Sequence, residues 1–328
     1  MLSSRTRWVA VTGALALSLT ACGGGGADTS EGETSAASTV EIEDNHGTQT
    51  VDVPPESVVA TDNRIFETLQ DWDVELAAAP RALMPDTISY KDDENIVDLG
   101  NHREPDLEAV VAADPDLIIN GQRFAQYYED FQGLVPDASI VELDPRDGEE
   151  FDSELKRQTS ALGEIFDKTS EADELNGDLD AAIERVKSAY QEGDTVMAVN
   201  VSGGEIGYIA PGVGRTLGPL FEILGLTPAL EVEGSTDDHQ GDDISVEAIA
   251  DSNPDWILVM DRDAAVGAED EYTPAQQVIE DSQALQNVTA VQESNIVYMP
   301  EDTYTNEGIQ TYTEFLNSFA DALEAMNN

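Results

Sequence analysis

The apolar positions of this chain fall into two rhythms. Short, continuous apolar runs occur at Val58-Val59-Ala60-Thr61, Glu75-Leu76-Ala77-Ala78-Ala79, Leu117-Ile118-Ile119-Asn120 and Ser139-Ile140-Val141-Glu142-Leu143. Runs without polar alternation are what strands buried on both faces produce, as in parallel sheets. A helix is expected between the first two runs, from about Phe66 to Asp71. From Phe151 to about Gln191 the rhythm becomes helical. Its second half sets Ala172, Leu175, Leu179, Ala182, Ile183, Val186 and Tyr190 on one stripe at spacings of three or four. Gly193 and Asp194 end it, and strand-like runs restart at Thr195–Val201, Trp256–Met260 and Asn295–Met299. The pattern predicts lobe, long helix, lobe.

The two lobes also share a string. Leu107-Glu108-Ala109-Val110-Val111-Ala112-Ala113-Asp114-Pro115-Asp116-Leu117-Ile118-Ile119 leads to Arg123. Val246-Glu247-Ala248-Ile249-Ala250-Asp251-Ser252-Asn253-Pro254-Asp255-Trp256-Ile257-Leu258 leads to Arg262. In each, a Glu opens an apolar helical pattern, a Pro-Asp turn follows, then a strand, then an arginine seven residues after the Asp. Such a repeat predicts two similarly built lobes with arginines at equivalent strand ends. The carboxyl edge of the strands is where open α/β sheets bind ligands.

The start of the chain carries no fold. Arg5 and Arg7 precede an apolar stretch from Trp8 to Leu19, which suits a signal-peptide core and is too short to span a bilayer. Leu19-Thr20-Ala21-Cys22-Gly23 then resembles a bacterial lipobox, which implies lipidation of Cys22. Cys22 is the single cysteine, so an internal disulfide and a thiolate metal cluster are both excluded. Gly23 to Thr39 is Gly, Ser, Thr, Ala and acid, and reads as a flexible tether. The expected organisation is therefore a signal segment 1–22, a tether 23–39, an N-terminal α/β lobe 40–167, a bridging helix 168–192 and a C-terminal α/β lobe 193–328.

Charge narrows the partners. Fifteen Lys and Arg oppose 68 Asp and Glu, a formal net charge of −53. A nucleic-acid partner is excluded on that ground, since it requires a basic surface. The acidity itself reads as a solvated surface. Against it, a cationic cluster in a cleft would stand out; beyond Cys22 the chain has nine arginines and four lysines.

Together these strings resemble one family, the iron-chelate binding lipoproteins that feed importers of the ATP-binding-cassette type, and especially the members that bind catecholate siderophores. Tyr90-Lys91-Asp92-Asp93, Asp98-Leu99-Gly100 and Glu104-Pro105-Asp106-Leu107-Glu108 resemble the family's first-lobe motif. Asn120-Gly121-Gln122-Arg123 resembles its strand-end arginine. Gly212-Val213-Gly214-Arg215, leading to Phe221-Glu222-Ile223-Leu224-Gly225, resembles the second-lobe loop and helix. Asp238-His239-Gln240-Gly241 and Val259-Met260-Asp261-Arg262-Asp263 complete the set, which covers roughly residues 50–325. Thr216, Leu217 and Gly218 depart from the more Ser- and Phe-rich sequence usual in that loop. The resemblance implies the class III periplasmic-binding-protein fold, two Rossmann-like α/β lobes with parallel sheets joined by one long α-helix, with the ligand held between the lobes.

It further implies a non-enzymatic lipoprotein on the extracytoplasmic face of the cell membrane. Such a protein is a monomer without an intrinsic cofactor that passes a ferric siderophore to a permease and its ATPase. A ferric tris-catecholate is a trianion. Guanidinium groups suit it because they stay charged, donate through a planar fork and stack on aromatic rings. Arg123, Arg215 and Arg262 are the expected ligand-binding cations. His239 and Tyr304 are the expected side chains that complete the iron shell when the chelator leaves sites open, with Tyr298 and Tyr312 as rivals to Tyr304. Tyr127 and Tyr128 could stack on a catechol or pack a helix. Glu108 and Glu247 match the family's permease-docking glutamates, although a carboxylate near a helix start is also favoured by the helix dipole. A hydroxamate chelate, haem or a corrinoid would be alternative ligands, and a sensory ectodomain or an extracellular esterase alternative roles. No nucleophile elbow, His-Glu-x-x-His or phosphate-binding Gly-Lys-Ser/Thr motif is present.

Overall fold

A computed structural model of the protein describes residues 38–267 and 272–327. The expected signal segment, Cys22 and the tether up to residue 37 lie outside the described residues. Among the described residues no helix is long and apolar enough to cross a membrane.

The first lobe is built on five parallel strands in the spatial order Val97–Asp98, Ala78–Ala79, Val58–Ala60, Leu117–Asn120, Ser139–Glu142. The two central strands are buried on both faces, which is why their sequences do not alternate. The run Glu75–Ala79 contributes only Ala78–Ala79 to the ladder. A hairpin of Ser38–Asp44 and Gly47–Val53 lies beside this lobe, burying Ile42 and Val51 in its core. Its first strand begins two residues inside the stretch expected as tether. Polar and charged residues alternate along it, because only one face of the hairpin is covered.

The second lobe centres on Thr195–Ser202. That strand pairs in parallel with Trp256–Asp261 and Thr227–Pro228, and antiparallel with Glu205–Ile209; Ile296–Tyr298 extends the sheet in parallel. The lobes are joined by Phe151–Ile165 and Thr169–Ala189. The helical stretch expected from Phe151 is thus two helices, broken where Asp167 takes a positive φ of 55°. Gly163 lets them cross closely, since a Cβ there would stand 2.7 Å from that of Ala172.

The apolar stripe of the second helix serves both lobes. Ala172 joins the core of the first lobe, while Leu179, Ala182, Ile183 and Val186 join that of the second. The C-terminal helix Ile309–Met326 packs along it with Phe315, Leu316, Phe319 and Leu323, all buried. Burying each such side chain contributes about 1.5–3 kcal/mol, so the lobes are attached through apolar packing on a helix rather than through loops alone.

The sequence repeat has a structural cause. Asp106 caps Leu107–Ala112 by accepting from the Ala109 amide, and Ser245 caps Val246–Ser252 through Ala248. The Asp of each Pro-Asp turn then ties down the start of the neighbouring parallel strand. Asp116 accepts from the amides of Glu56 and Ser57 (2.6 and 3.0 Å), and Asp255 from the amide and hydroxyl of Thr195 (both 2.8 Å). The same device sets the register in both sheets and brings Arg123 and Arg262 to matching strand ends.

Candidate functional site

Three segments deliver the three expected arginines. After Leu117–Asn120 the chain turns through Gly121 and Gln122 into the 3-10 helix Gln122–Tyr127. A Cβ at residue 121 would stand 2.8 Å from Asp62 Oδ2 and 3.2 Å from Asp144 Oδ2, so a larger residue would have to displace these carboxyl groups. The Gln122 amide donates to both oxygens of Asp144 at 2.7 and 2.9 Å, which holds this residue at a φ of 50° and turns the next one, Arg123, toward the second lobe. Arg262 opens the short helix Arg262–Val266, capped by Asp261 at the end of its strand. Arg215 sits in the loop between Gly212 and Gly218, which is closed by a 2.8 Å bond from the Gly212 amide to the Gly218 carbonyl.

The three guanidinium groups meet at Tyr304, within the short 3-10 helix Thr303–Thr305. Their central carbons lie 5.1 Å (Arg123), 5.3 Å (Arg215) and 4.7 Å (Arg262) from the centre of its ring, within cation–π range. The Arg123 Nη2 also donates to the Tyr304 carbonyl at 3.1 Å, and the Arg262 Nη1 donates to the Ser202 hydroxyl at 3.2 Å. Burial raises the pKa of the Tyr304 phenol. The hydrogen bond from Arg262 and the charges of Arg262, Arg123 and Arg215 outweigh that and bring it below the ordinary tyrosine value.

These side chains line a cavity of about 610 Å³ between the lobes. The first lobe supplies Arg123, Lys91, His102 and Arg103; the second supplies Arg215, Arg262, Tyr304 and His239. The Arg123 Nη1 and the Arg262 Nε are buried without a hydrogen-bond partner, as is the His102 Nδ1. Among the described residues no carboxylate lies within ion-pair distance of Arg123, and Arg262 has only Asp263, at 3.8 Å. Arg215 differs, donating at 3.3 Å to the buried carboxylate of Glu307. The cavity therefore presents unspent donors, as a site for an anionic, aromatic or oxygen-rich guest requires.

The remaining expected residues divide. His239 lines the cavity from an exposed loop, its carbonyl held at 3.0 Å by Asn200. Of the tyrosine rivals, Tyr312 is buried and donates to the Thr216 carbonyl, and Tyr298 packs against the core of the second lobe. Tyr127 packs beside Phe124 and Phe131, and Tyr128 stacks on His46 at 3.7 Å; neither faces the cavity. Glu108 and Glu247 are exposed in the first turns of their matched helices, away from the cavity. Among the described residues no group of His, Cys, Asp or Glu is arranged to hold a metal ion by itself.

Sequence reasoning missed His102 and Arg103 as cavity residues. They sit on a turn whose only signal is polarity, and the fold alone brings that turn over the cleft. His102 is held toward its neutral form by burial and then by the charges of Arg123 and Arg103. The polar layer beneath the cavity was also missed. There Arg64 pairs with Asp144 at 2.8 Å and with Glu307 at 3.6 Å. Beside it Asp62 has a carboxyl raised to about 7, chiefly by burial and then by Asp144.

A family profile described as periplasmic binding protein matches residues 58–303, most of the chain and both lobes. The chain belongs to this periplasmic binding protein family. Among its relatives, the petrobactin-binding protein YclQ of Bacillus subtilis is 27% identical over 287 residues, 86% of each chain. The ferric-anguibactin-binding protein FatB of Vibrio anguillarum is 28% identical over 231 residues, 69% of this chain and 70% of the relative. The crystal structure of YclQ superposes with a TM-score of 0.74 at 25% identity, covering 88% of this chain and 99% of that one. The catecholate-siderophore binding protein VctP of Vibrio cholerae gives the same TM-score at 22% identity over 88% of this chain and all of its own, a likeness of fold. In this chain the arginine cluster lies in the cavity between the two helix-bridged lobes.

Proposed function

We propose that this periplasmic binding protein captures a ferric siderophore of the catecholate type between its lobes and hands it to an ATP-binding-cassette importer for iron uptake. The observation that carries this reading is the convergence of Arg123, Arg215 and Arg262, from both lobes, on one tyrosine ring, with donors of Arg123 and Arg262 buried and unpartnered. Three fixed cations around an aromatic plane suit a trianionic chelate with aryl rings better than they suit a neutral hydroxamate chelate. The names of YclQ and FatB, as binders of petrobactin and ferric anguibactin, support an iron-chelate ligand. The protein acts by binding and release, as an extracytoplasmic monomer held to the membrane through lipid on Cys22. His239 and Tyr304 stand at the cavity wall as side chains that would fill iron positions left open by a chelator with two catechols.

Fluorescence titration tests the ligand class. Trp72 and Trp256 are both buried in lobe cores rather than in the cavity, so quenching by the coloured ferric chelate, not direct contact, supplies the signal. Ferric bis- or tris-catecholates are expected to bind more tightly than a ferric hydroxamate. Preference for the hydroxamate would overturn the reading.

Glu108 and Glu247 fit the role of permease contacts, one on each lobe at matched helix starts. Their joint replacement by alanine is expected to leave chelate affinity within about twofold, as for surface changes remote from a site, and to impair iron uptake by cells. Normal uptake would remove them from that role.

A further inference from the structure

The wall of the cavity rests on a buried chain of charges. Glu307 is 2% exposed, and its Oε2 lies 3.3 Å from the Arg215 Nη2 and 3.6 Å from the Arg64 Nη2. Its other oxygen accepts from the Thr216 hydroxyl. Arg64 follows the central strand of the first lobe and donates at 2.8 Å to Asp144, whose carboxylate in turn holds the Gln122 amide. Arg123 is the next residue. An unbroken polar path therefore runs from Arg215 in the second lobe, through Glu307, Arg64 and Asp144, to the turn that aims Arg123 in the first.

A carboxylate 3.3 Å from a ligand-facing guanidinium weakens that group's attraction for an anion. A cavity shaped only to attract negative charge would leave Arg215 unpaired, as it leaves Arg123. What the carboxylate contributes is geometry. It fixes one long, flexible side chain against Tyr304, and it joins groups from the two lobes at one buried point. Burial raises the Glu307 pKa, but Arg215 and Arg64 together bring it below the ordinary glutamate value, so the group stays charged in neutral solution.

We propose that Glu307 is a positioning residue of the ligand cavity. By bonding Arg215 of the second lobe and Arg64 of the first, it sets the ligand-facing cations of the two lobes in a fixed relation to each other. This inference rests on the reading of the cavity as a ferric-chelate site.

The test compares Glu307→Gln, Arg215→Ala and the double variant, using a ferric tris-catecholate with 2,3-dihydroxybenzoyl arms as the probe. Each single change is expected to weaken binding about tenfold, the scale of one charge-assisted contact. The double variant is expected to bind no worse than the weaker single, because both changes remove one unit. Unchanged or tighter binding by Glu307→Gln would overturn the proposal, as would losses that multiply in the double variant.

A second measurement needs no ligand. The Tyr304 phenol, followed by ring-carbon NMR, is expected to titrate at higher pH in Glu307→Gln, because Arg215 leaves the ring. A shift to lower pH would mean that Arg215 had stayed and only a negative charge was lost, which also overturns the proposal. If Glu307→Gln does not fold, Glu307→Asp keeps the charge on a shorter arm. It is expected to move affinity and Tyr304 titration in the same directions by less, and wild-type values in both would overturn the proposal. Should the wild-type protein bind no ferric catecholate, the ligand reading fails, while the Tyr304 titration still decides the role of Glu307.

Discussion

Arg123→Ala combined with Arg262→Ala is expected to weaken binding of a ferric tris-catecholate by about a hundredfold. Each guanidinium offers a charge-assisted contact of about 1.5 kcal/mol, and two such losses approach 3 kcal/mol. Both groups touch the Tyr304 ring, so the losses couple and the sum is an upper figure. Of the three guanidinium groups, these two carry the least committed charges. Arg123 has no carboxylate partner among the described residues, and Arg262 has a single one at 3.8 Å, whereas Arg215 is paired with Glu307. The surrounding protein makes these cations more important, because a net charge of −53 repels a trianion at every point the cluster does not dominate. Titration at fixed ionic strength measures the effect. Arg262→Lys should fall between wild type and alanine, since it keeps the charge but loses the planar fork. Wild-type affinity in the double alanine variant would remove the arginine cluster from ligand binding.

Arg64→Leu is expected to cost about 3–5 kcal/mol of folding stability near pH 8, the penalty for stripping the partner from buried charges. Arg64 stands among Asp62, Asp144 and Glu307, and no other guanidinium or ammonium group among the described residues lies within ion-pair distance of Asp144 or Asp62. Protonation offers the variant partial relief, and its sign can be worked out. The Asp62 carboxyl is already raised to about 7 in the native protein, above an unfolded value of 3.8, by burial first and by Asp144 second, while Arg64 opposes the shift. The native state therefore binds more protons than the unfolded state between these values, and stability from this group falls as pH rises from about 4 through about 7. Removing Arg64 raises the carboxyl further, so the cost of the substitution should be largest at pH 8 and shrink toward pH 5. Chemical denaturation at both pH values checks this. A cost independent of pH would mean that packing, not charge, makes Arg64 matter.

Much of this protein could be read from its residues in order. The unalternating runs Leu117–Asn120 and Trp256–Met260 announced strands buried on both faces. The stripe from Ala172 to Val186 announced a helix with one covered side. The repeat announced two lobes with arginines at equivalent strand ends. Each of these features is local, because burial of a strand or a helix face imprints a period on consecutive residues. The hairpin Ser38–Val53 escaped because charged residues occupy its open face and blur its alternation.

The site was legible only in its parts. Order and spacing identified Arg123, Arg215 and Arg262 as candidates, and their residue type states what they attract. That they close on Tyr304, that Arg215 is tied to Glu307, and that His102 and Arg103 reach the same cavity follow from distant contacts, such as Arg215 with Glu307, 92 positions apart, and Arg123 with Tyr304, 181 apart, or from the placement of a turn over the cleft. No local pattern records such pairs. A buried carboxylate such as Glu307 looks in the sequence like any of the 68 acids, and only the folded chain decides which of them is removed from water and must find a cation.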